Sequence, residues 1–365
     1  MPKLFLISSL AILLGLNSLC CLGEKSAVQE VQPAELITQP VEPIVAEPPI
    51  IVPQVEAPSA ELVPTAIPFP RVNITDTKIY TVNETVLVHN QGQGDVINDM
   101  PVSIGIPRTL SPYQARLSLS ANPPDYTLIT DDQKNEYVYI VIPPLKAGAQ
   151  AEIQVSYRVA VNGIEIHAAE CQGELPRHDT AAEKYIESDD PQMVQLSVEL
   201  ASGKPDVCAV TRSIYDHVRQ NMQYENTADT QPGALETLKN MTGDYTEYSE
   251  LMIALARAAG IPSVFVGGLT YDTVDDALKE QNKHSWVLAY LPDVGWAPMD
   301  PTLGRHSDDG DDYFAAITPN HIIISLGRNL EYLNGGFYSS ADYQYYKSSP
   351  ASVSVDSYWD IQLEP

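Results

Sequence analysis

Basic residues are scarce in this 365-residue chain: 21 Lys and Arg stand against 48 Asp and Glu, a formal charge of −27. With no local basic cluster to offset that field, nucleic acid and anionic lipid headgroups are excluded as expected partners of the folded part. The acidic residues are spread along the chain and not gathered in one tail, which reads as a solubilising surface; cation binding or an acidic habitat are the alternatives. Cysteine is scarcer still. Of four, Cys20 and Cys21 fall in the first 25 residues, leaving Cys171 and Cys208 as the pair in the remainder. Neither stands in a recognisable nucleophile context, so a structural disulfide formed outside the cytosol is expected, with a reactive thiol as the weaker alternative. Nothing in the sequence calls for a metal or a cofactor.

What is present begins with Lys3 and a nearly unbroken apolar run from Leu4 to Gly23, ended by Glu24 and Lys25. Such a run is an export signal. Small residues around Cys21-Leu22-Gly23 allow cleavage, about 20 apolar residues also suffice to span a bilayer, and Cys20 or Cys21 allows lipid attachment. Residues 1–25 are therefore expected to act as a signal peptide or membrane anchor, placing the protein at the cell surface or outside it, with the membrane touched through this segment. Residues 26–70 alternate proline with valine, isoleucine and glutamate and keep no helical or strand period, which predicts an extended stalk.

From Arg71 to Ile166 no helical pattern interrupts a series of short alternating runs: Tyr80 to His89, Val102 to Ile106, Tyr137 to Ile142, Ala151 to Val161. Turn signals at Gly92-Gln93-Gly94, Pro123-Pro124 and Lys146-Ala147-Gly148 separate them. Period two with such breaks predicts an antiparallel, immunoglobulin-like β-sandwich of about seven strands over residues 71–166. Asn73, Asn83 and Asn240 head triplets that can accept glycans where a host has the machinery.

The period then becomes helical. Asp190-Pro191 reads as an N-cap followed by N1 proline, opening a helix that runs to Ala201. Val207, Val210, Ile214 and Val218 mark a second, and Gly233 to Asn240 a short third. A fourth starts at Asp244, with Glu247 three residues on to complete a capping box. Tyr248, Leu251, Met252, Leu255, Ala258 and Ala259 form its apolar face, and Gly260 with Pro262 ends it. A buried strand, Val264 to Leu269, follows, then the polar stretch Tyr271 to Lys283. His284 to Leu291 and Val294 to Asp300 then read as a hairpin about a Pro-Asp tip.

Three segments, GDYTEYSELMIALARAAGIPSVFVGG (243–268), KHSWVLAYLPDVGWAPMDPT (283–302) and NHIIISLGRN (320–329), resemble the transglutaminase-like superfamily. The likeness covers roughly Tyr185 to Asn329. It implies an α+β fold, a papain-like domain over residues 167–329 preceded by the sandwich, with C-terminal strands in 330–365 packing on the body, as in microbial surface members. It also implies a triad of cysteine at the start of the central helix, histidine on one strand and aspartate on the next. His284 and Asp300 take the second and third places. Tyr245 stands where the cysteine is expected.

A thiol at a helix N-terminus beside an imidazole is pushed toward thiolate by the helix dipole and by the imidazolium. A phenol, with a reference pKa of about 10 and far greater bulk, gains little from one histidine. The chain is therefore expected to be a non-catalytic binder of a peptide, protein or surface polymer; the alternative is an acyl-transfer enzyme or peptidase using another nucleophile, for which Thr246 and Ser249 are the nearby hydroxyls. Pairing Tyr290 with Val294 would set His284 directly opposite Asp300, whereas a longer tip would set Asp300 opposite Val287. Trp286 and Trp296 are the aromatic candidates for a ligand platform, and hairpin core is their ordinary role.

Overall fold

The computed structural model describes residues 72–365 apart from 168–170, 172, 176–179, 227–230, 272–282 and 309. The apolar leader, the stalk and most of the polar stretch after Tyr271 lie outside the described residues. Among the described residues, no helix is long and apolar enough to cross a membrane.

Six strands occupy the first part: β1 (Val72–Asn90), β2 (Met100–Ile106), β3 (Gln114–Asn122), β4 (Thr127–Thr130), β5 (Glu136–Ile142) and β6 (Gln150–Ile166). The three expected turn clusters fall between strands. The strands form two antiparallel sheets, one built on β6 and β1, the other on β2, β5 and β4. Alternation along β1 sends Tyr80, Val82, Val86 and Val88 inward, where they meet Val102, Ile104, Val138 and Ile140 from the second sheet. Glu84 and Asn90 keep the same parity and are buried with them.

The helices follow where their caps place them. α1 (Pro191–Ala201) is capped by Asp190, whose side chain accepts from Gln192 N, and α2 (Val207–Asn221) by Asp206. Cys171 is bonded to Cys208 in the first turn of α2, with the two Cα atoms 5.5 Å apart. β7 (Gln223–Tyr224) pairs in parallel with β8 (Thr242–Gly243) across α3 (Ala234–Asn240).

α4 (Tyr245–Ala258) is the centre of this half. Sequence periodicity gives it one apolar face; the structure buries every residue from Thr246 to Ala256, because α1, α2 and α3 pack on it from outside while strands β9 and β10 cover the rest. A helix enclosed on all sides needs no polar stripe; of its two buried carboxylates, Glu247 closes the capping box and Glu250 accepts from Arg328 on Oε1 alone. Gly260, at φ +79, closes the helix in the left-handed region that a side chain would disfavour.

The third sheet runs in the order β11 (Gly295–Met299), β10 (Lys283–Leu291), β9 (Ser263–Thr270), β13 (His321–Leu326). Between β11 and β13 lie the short α5 (Pro301–Gly304) and β12 (Ala316–Ile317), the latter pairing with β6. The C-terminal strands complete the sandwich: β14 (Ser339–Ala341) pairs with β2, and β15 (Val353–Leu363) pairs along eleven positions of β1. Residues 72–166 thus hold six strands, and two more come from the chain end.

The hairpin takes a register between the two expected ones. Tyr290 lies opposite Trp296 and Val287 opposite Met299. Its tip, Pro292-Asp293-Val294, has Asp293 at φ +60 and is followed by Gly295 at φ +97, a three-residue loop in which the glycine supplies the positive φ.

Candidate functional site

Asp244 fixes the start of α4. Its carboxylate accepts from Thr246 N at 2.8 Å, while its own N–H donates to Glu247 Oε2 at 2.9 Å, the reciprocal capping box. Tyr245 is the first helical residue. Its carbonyl accepts from Ser249 Oγ and from Ser285 Oγ, each at 2.8 Å, and the two hydroxyls lie 3.1 Å apart. Ser285 thereby locks β10 to the first turn of α4 one residue away from His284. The lock sets the Tyr245 and His284 rings edge-on at 5.6 Å between centroids.

His284 and Asp300 meet although they are not directly opposed. In the observed register Asp300, just past the end of β11, falls across from Trp286, and His284 is its diagonal neighbour two positions away on the same face. Asp300 caps α5, accepting from Leu303 N on Oδ1 at 2.9 Å, which aims Oδ2 at His284 Nε2, 2.6 Å away. Both side chains are fully buried.

A third group shares that oxygen. His321, the first residue of β13, brings its Nε2 to 3.2 Å from Asp300 Oδ2, while its Nδ1 lies 3.1 Å from Thr318 Oγ1. A carboxylate only accepts, so each Nε2 facing it carries the proton. His321 Nδ1 then accepts from the Thr318 hydroxyl. His284 Nδ1 is buried without a hydrogen-bond partner among the described residues. An imidazole oriented by a carboxylate, with its other nitrogen unbonded, is the base half of a nucleophile–base–orienter arrangement.

The electrostatics keep the carboxylate ionised. Burial alone would raise the Asp300 pKa, but the adjacent His284 imidazole and the hydrogen bonds from both histidines outweigh it and hold the carboxyl well below its usual range. Burial pushes His321 down despite Asp300, keeping it neutral. Burial raises the Tyr245 phenol above its ordinary value, with the Asp244 carboxylate adding to the effect.

His284, Asp300 and His321 also offer metal-ligand atoms, all within 4.8 Å of one another. Two ligands of one tetrahedral zinc, each about 2.0–2.1 Å from it, are about 3.3 Å apart. The 2.6 Å between His284 and Asp300 fits a hydrogen bond and not joint ligation.

The sheet behind the site is packed through Trp286. Its ring stacks on His284 at 5.9 Å and meets His321 edge-on at 5.1 Å, and it is fully buried, so it presents no face to a ligand. Gly268 makes room: a Cβ there would lie 2.4 Å from the Trp286 ring. Trp296 is partly exposed and stands edge-on to Tyr290 at 5.6 Å. Tyr338, from the loop before β14, donates to Gly268 O at 2.8 Å and accepts from His284 N at 3.3 Å, holding the start of β10 from the sandwich side. Asn73, Asn83 and Asn240 are all exposed, Asn83 within the β1 ladder and bonded to Ser156 Oγ at 2.7 Å.

Ser285, His321 and Tyr338 are the members of this constellation that sequence reasoning missed. His321 opens the segment NHIIISLGRN, whose likeness to the family carried no role for it. A polar residue at the head of an otherwise apolar buried strand was the available signal.

Residues 194–301 match the core of the transglutaminase-like superfamily, and this part of the chain is a transglutaminase-like domain. An alignment of 144 residues is 27% identical to a Bacillus subtilis (strain 168) protein known as "Uncharacterized protein YebA", covering 34% of this chain and 20% of that protein. The chain thus spans about one fifth of that relative's length. A candidate cysteine protease from Cytophaga hutchinsonii superposes over 80% of this chain and 92% of its own with a TM-score of 0.59 at 15% identity, a likeness of fold. The periplasmic domain of TgpA from Pseudomonas aeruginosa matches over 62% and 91% at 16% identity, with a TM-score of 0.29, too loose to bear on the fold.

Proposed function

We propose that the chain is an exported, membrane-anchored surface protein whose transglutaminase-like domain binds a peptide or surface polymer without turning it over. The observation that carries this reading is the Tyr245–His284 contact. An aromatic ring fills the place where the family resemblance calls for a thiol, with its phenol pKa raised and not lowered, edge-on to the imidazole that would have activated a nucleophile. The neighbouring hydroxyls do not substitute. Ser249 Oγ is bonded to the Tyr245 carbonyl and to Ser285, and neither it nor Thr246 bonds to His284. Export is supported by the charged and apolar leader and by the Cys171–Cys208 bond, which suits an oxidising compartment.

The second reading, an acyl-transfer enzyme or peptidase with another nucleophile, draws on the oriented His284–Asp300 pair and the free Nδ1. Equilibrium binding separates the two. Glutamine-containing peptides and cell-wall fragments, titrated calorimetrically into the wild-type protein, should bind saturably and be recovered intact by mass spectrometry after prolonged incubation. Recovery of cleaved or deamidated peptide would favour the enzyme, and absence of any saturable heat would remove the binding role.

A further inference from the structure

A cavity of about 600 Å³ lies away from His284, between the sandwich and the outer end of the β10–β11 hairpin. That volume is in the range of small-molecule sites. Arg108 and Tyr113 line it from the sandwich side, Tyr290 and Trp296 from the hairpin, and Arg257 with Glu183 from the remaining wall. Tyr113 Oη donates to Trp296 O at 2.6 Å, which fixes the indole's backbone against the sandwich. Tyr290 is six residues along β10 from His284, about 20 Å at about 3.3 Å per strand residue. The cavity shares no residue with the Tyr245–His284–Asp300 site.

Its charge is unusual for so acidic a protein. Arg116, Arg158, Arg212, Arg219, Arg257 and Arg328 each pair with a carboxylate. Among the described residues no carboxylate lies within 4.0 Å of the Arg108 guanidinium. The acids nearest in the fold are taken: Glu136 pairs with Arg116, and Asp131 accepts from Asn135 and Tyr137. Arg108 Nη1 donates to Gln133 O at 3.0 Å, and its Nε is out of solvent with no acceptor. With Nη1 engaged and Nε out of reach of solvent, Nη2 is the donor left to face the cavity. The second arginine of the wall is already neutralised, Arg257 to Glu183 at 2.9 Å. Asp131 and Glu136 act on Arg108 at longer range without contacting it, so the cavity offers a single guanidinium with no contacting anion, which suits a monocarboxylate better than a phosphate dianion.

We propose that this cavity binds a monocarboxylate with an apolar body, its carboxylate on Nη2 of Arg108 and its body against Trp296 and Tyr290. A free small acid and the C-terminal residue of a peptide share that chemistry.

The probes are N-acetylphenylalanine, its C-terminal amide, and a pentapeptide ending in phenylalanine as acid or amide, each titrated by calorimetry. The acid should saturate the wild type while the amide binds at least about tenfold more weakly, the loss of one charge-assisted pair. Arg108→Gln should abolish that discrimination at an unchanged unfolding temperature, and Arg108→Lys should recover only part of it. Should Arg108→Gln fail to fold, the wild-type comparison of acid with amide and the Trp296→Leu variant, expected to weaken acid binding, still decide. Binding of the single amino acid alone assigns the site to a small metabolite; equal binding of the peptide acid assigns it to a chain terminus. Equal affinity for acid and amide, or no saturation by either acid, overturns the proposal.

Discussion

His321 and His284 donate to the same carboxylate oxygen of Asp300, from 3.2 and 2.6 Å, so one aspartate orients two imidazoles inside a sealed pocket. Replacing His321 by alanine removes one donor and leaves a cavity beside Trp286. The expected loss is about 2 kcal/mol of unfolding free energy, the order of a buried hydrogen bond to a charged group. Urea denaturation at pH 7 measures it; no loss would mean that the second imidazole is a bystander.

Asp300 should also leave a signature in acid. Its folded-state pKa lies below the unfolded value of about 3.9, so its contribution is present above that value and is lost as the pH falls from there through the folded-state pKa. Wild-type stability should therefore decline below about pH 4 more steeply than that of Asp300→Asn, with the difference between the two curves shrinking as acid is added. Parallel curves would show that the carboxylate is not stabilised by its two histidines.

Glu84 has the opposite sign. It sits in the inward parity of β1 with no hydrogen-bond partner at normal distance, and burial raises its pKa to about 8, only partly offset by Ser357, Trp359 and Lys283. The folded protein then holds a proton that the unfolded chain releases above about pH 4.5. Its contribution is fully present below that pH and is lost as the pH rises to about 8. The slope is about 1.4 kcal/mol per pH unit within the window. Glu84→Gln should remove that slope and be the more stable protein at pH 8. An unchanged slope would relocate the titration to another group.

Much of this was legible in the chain, and the misses have physical causes. Capping chemistry is local, so Asp190 and Asp244 mark their helix starts without reference to the rest of the fold, while α2 was marked by its apolar period and not by its cap, Asp206. Asp206 lies one residue before Val207, where the apolar period of α2 begins. Alternation located the strands of the sandwich. It could not show that β14 and β15 return to complete both sheets, because pairing over more than 200 residues leaves no local trace. The hairpin register depended on a loop conformation, Asp293 and Gly295 at positive φ, that several tip lengths would have allowed. His321 was missed for the same reason: it meets Asp300 only through the β9–β13 pairing.

Arg328 and Glu250 form a second sealed pair, Nε to Oε1 at 2.7 Å, with the guanidinium over the Tyr185 and Phe337 rings at 4.3 and 4.5 Å. Removing the cation alone strands a buried carboxylate. Arg328→Met should cost about 3–5 kcal/mol, and adding Glu250→Leu should restore much of it. Additive losses in the double variant would mean that packing over the two rings, and not the charge pair, holds this end of α4.

The Cys171–Cys208 bond closes a loop with a sequence separation of 37. Loop-closure entropy for that span is about 4 kcal/mol in the chain-entropy picture. Cys208→Ala should lower the denaturation midpoint, and adding reductant should lower the wild type toward the variant without moving the variant. Insensitivity of both to reductant would show that the bond does not form in the exported protein.

A direct assay decides whether the Tyr245 site turns a ligand over. Wild-type protein is incubated with a glutamine donor peptide and a labelled primary amine, and separately with unlabelled peptides, beside a His284→Ala control. The expected result is neither amine incorporation nor cleavage above the control; the variant Tyr245→Cys, which places a thiol at the helix N-terminus beside the imidazole, is the one version that should show a trace of either. Turnover by the wild type that disappears in His284→Ala would contradict the account and make Thr246, Ser249 or Tyr245 itself the attacking group.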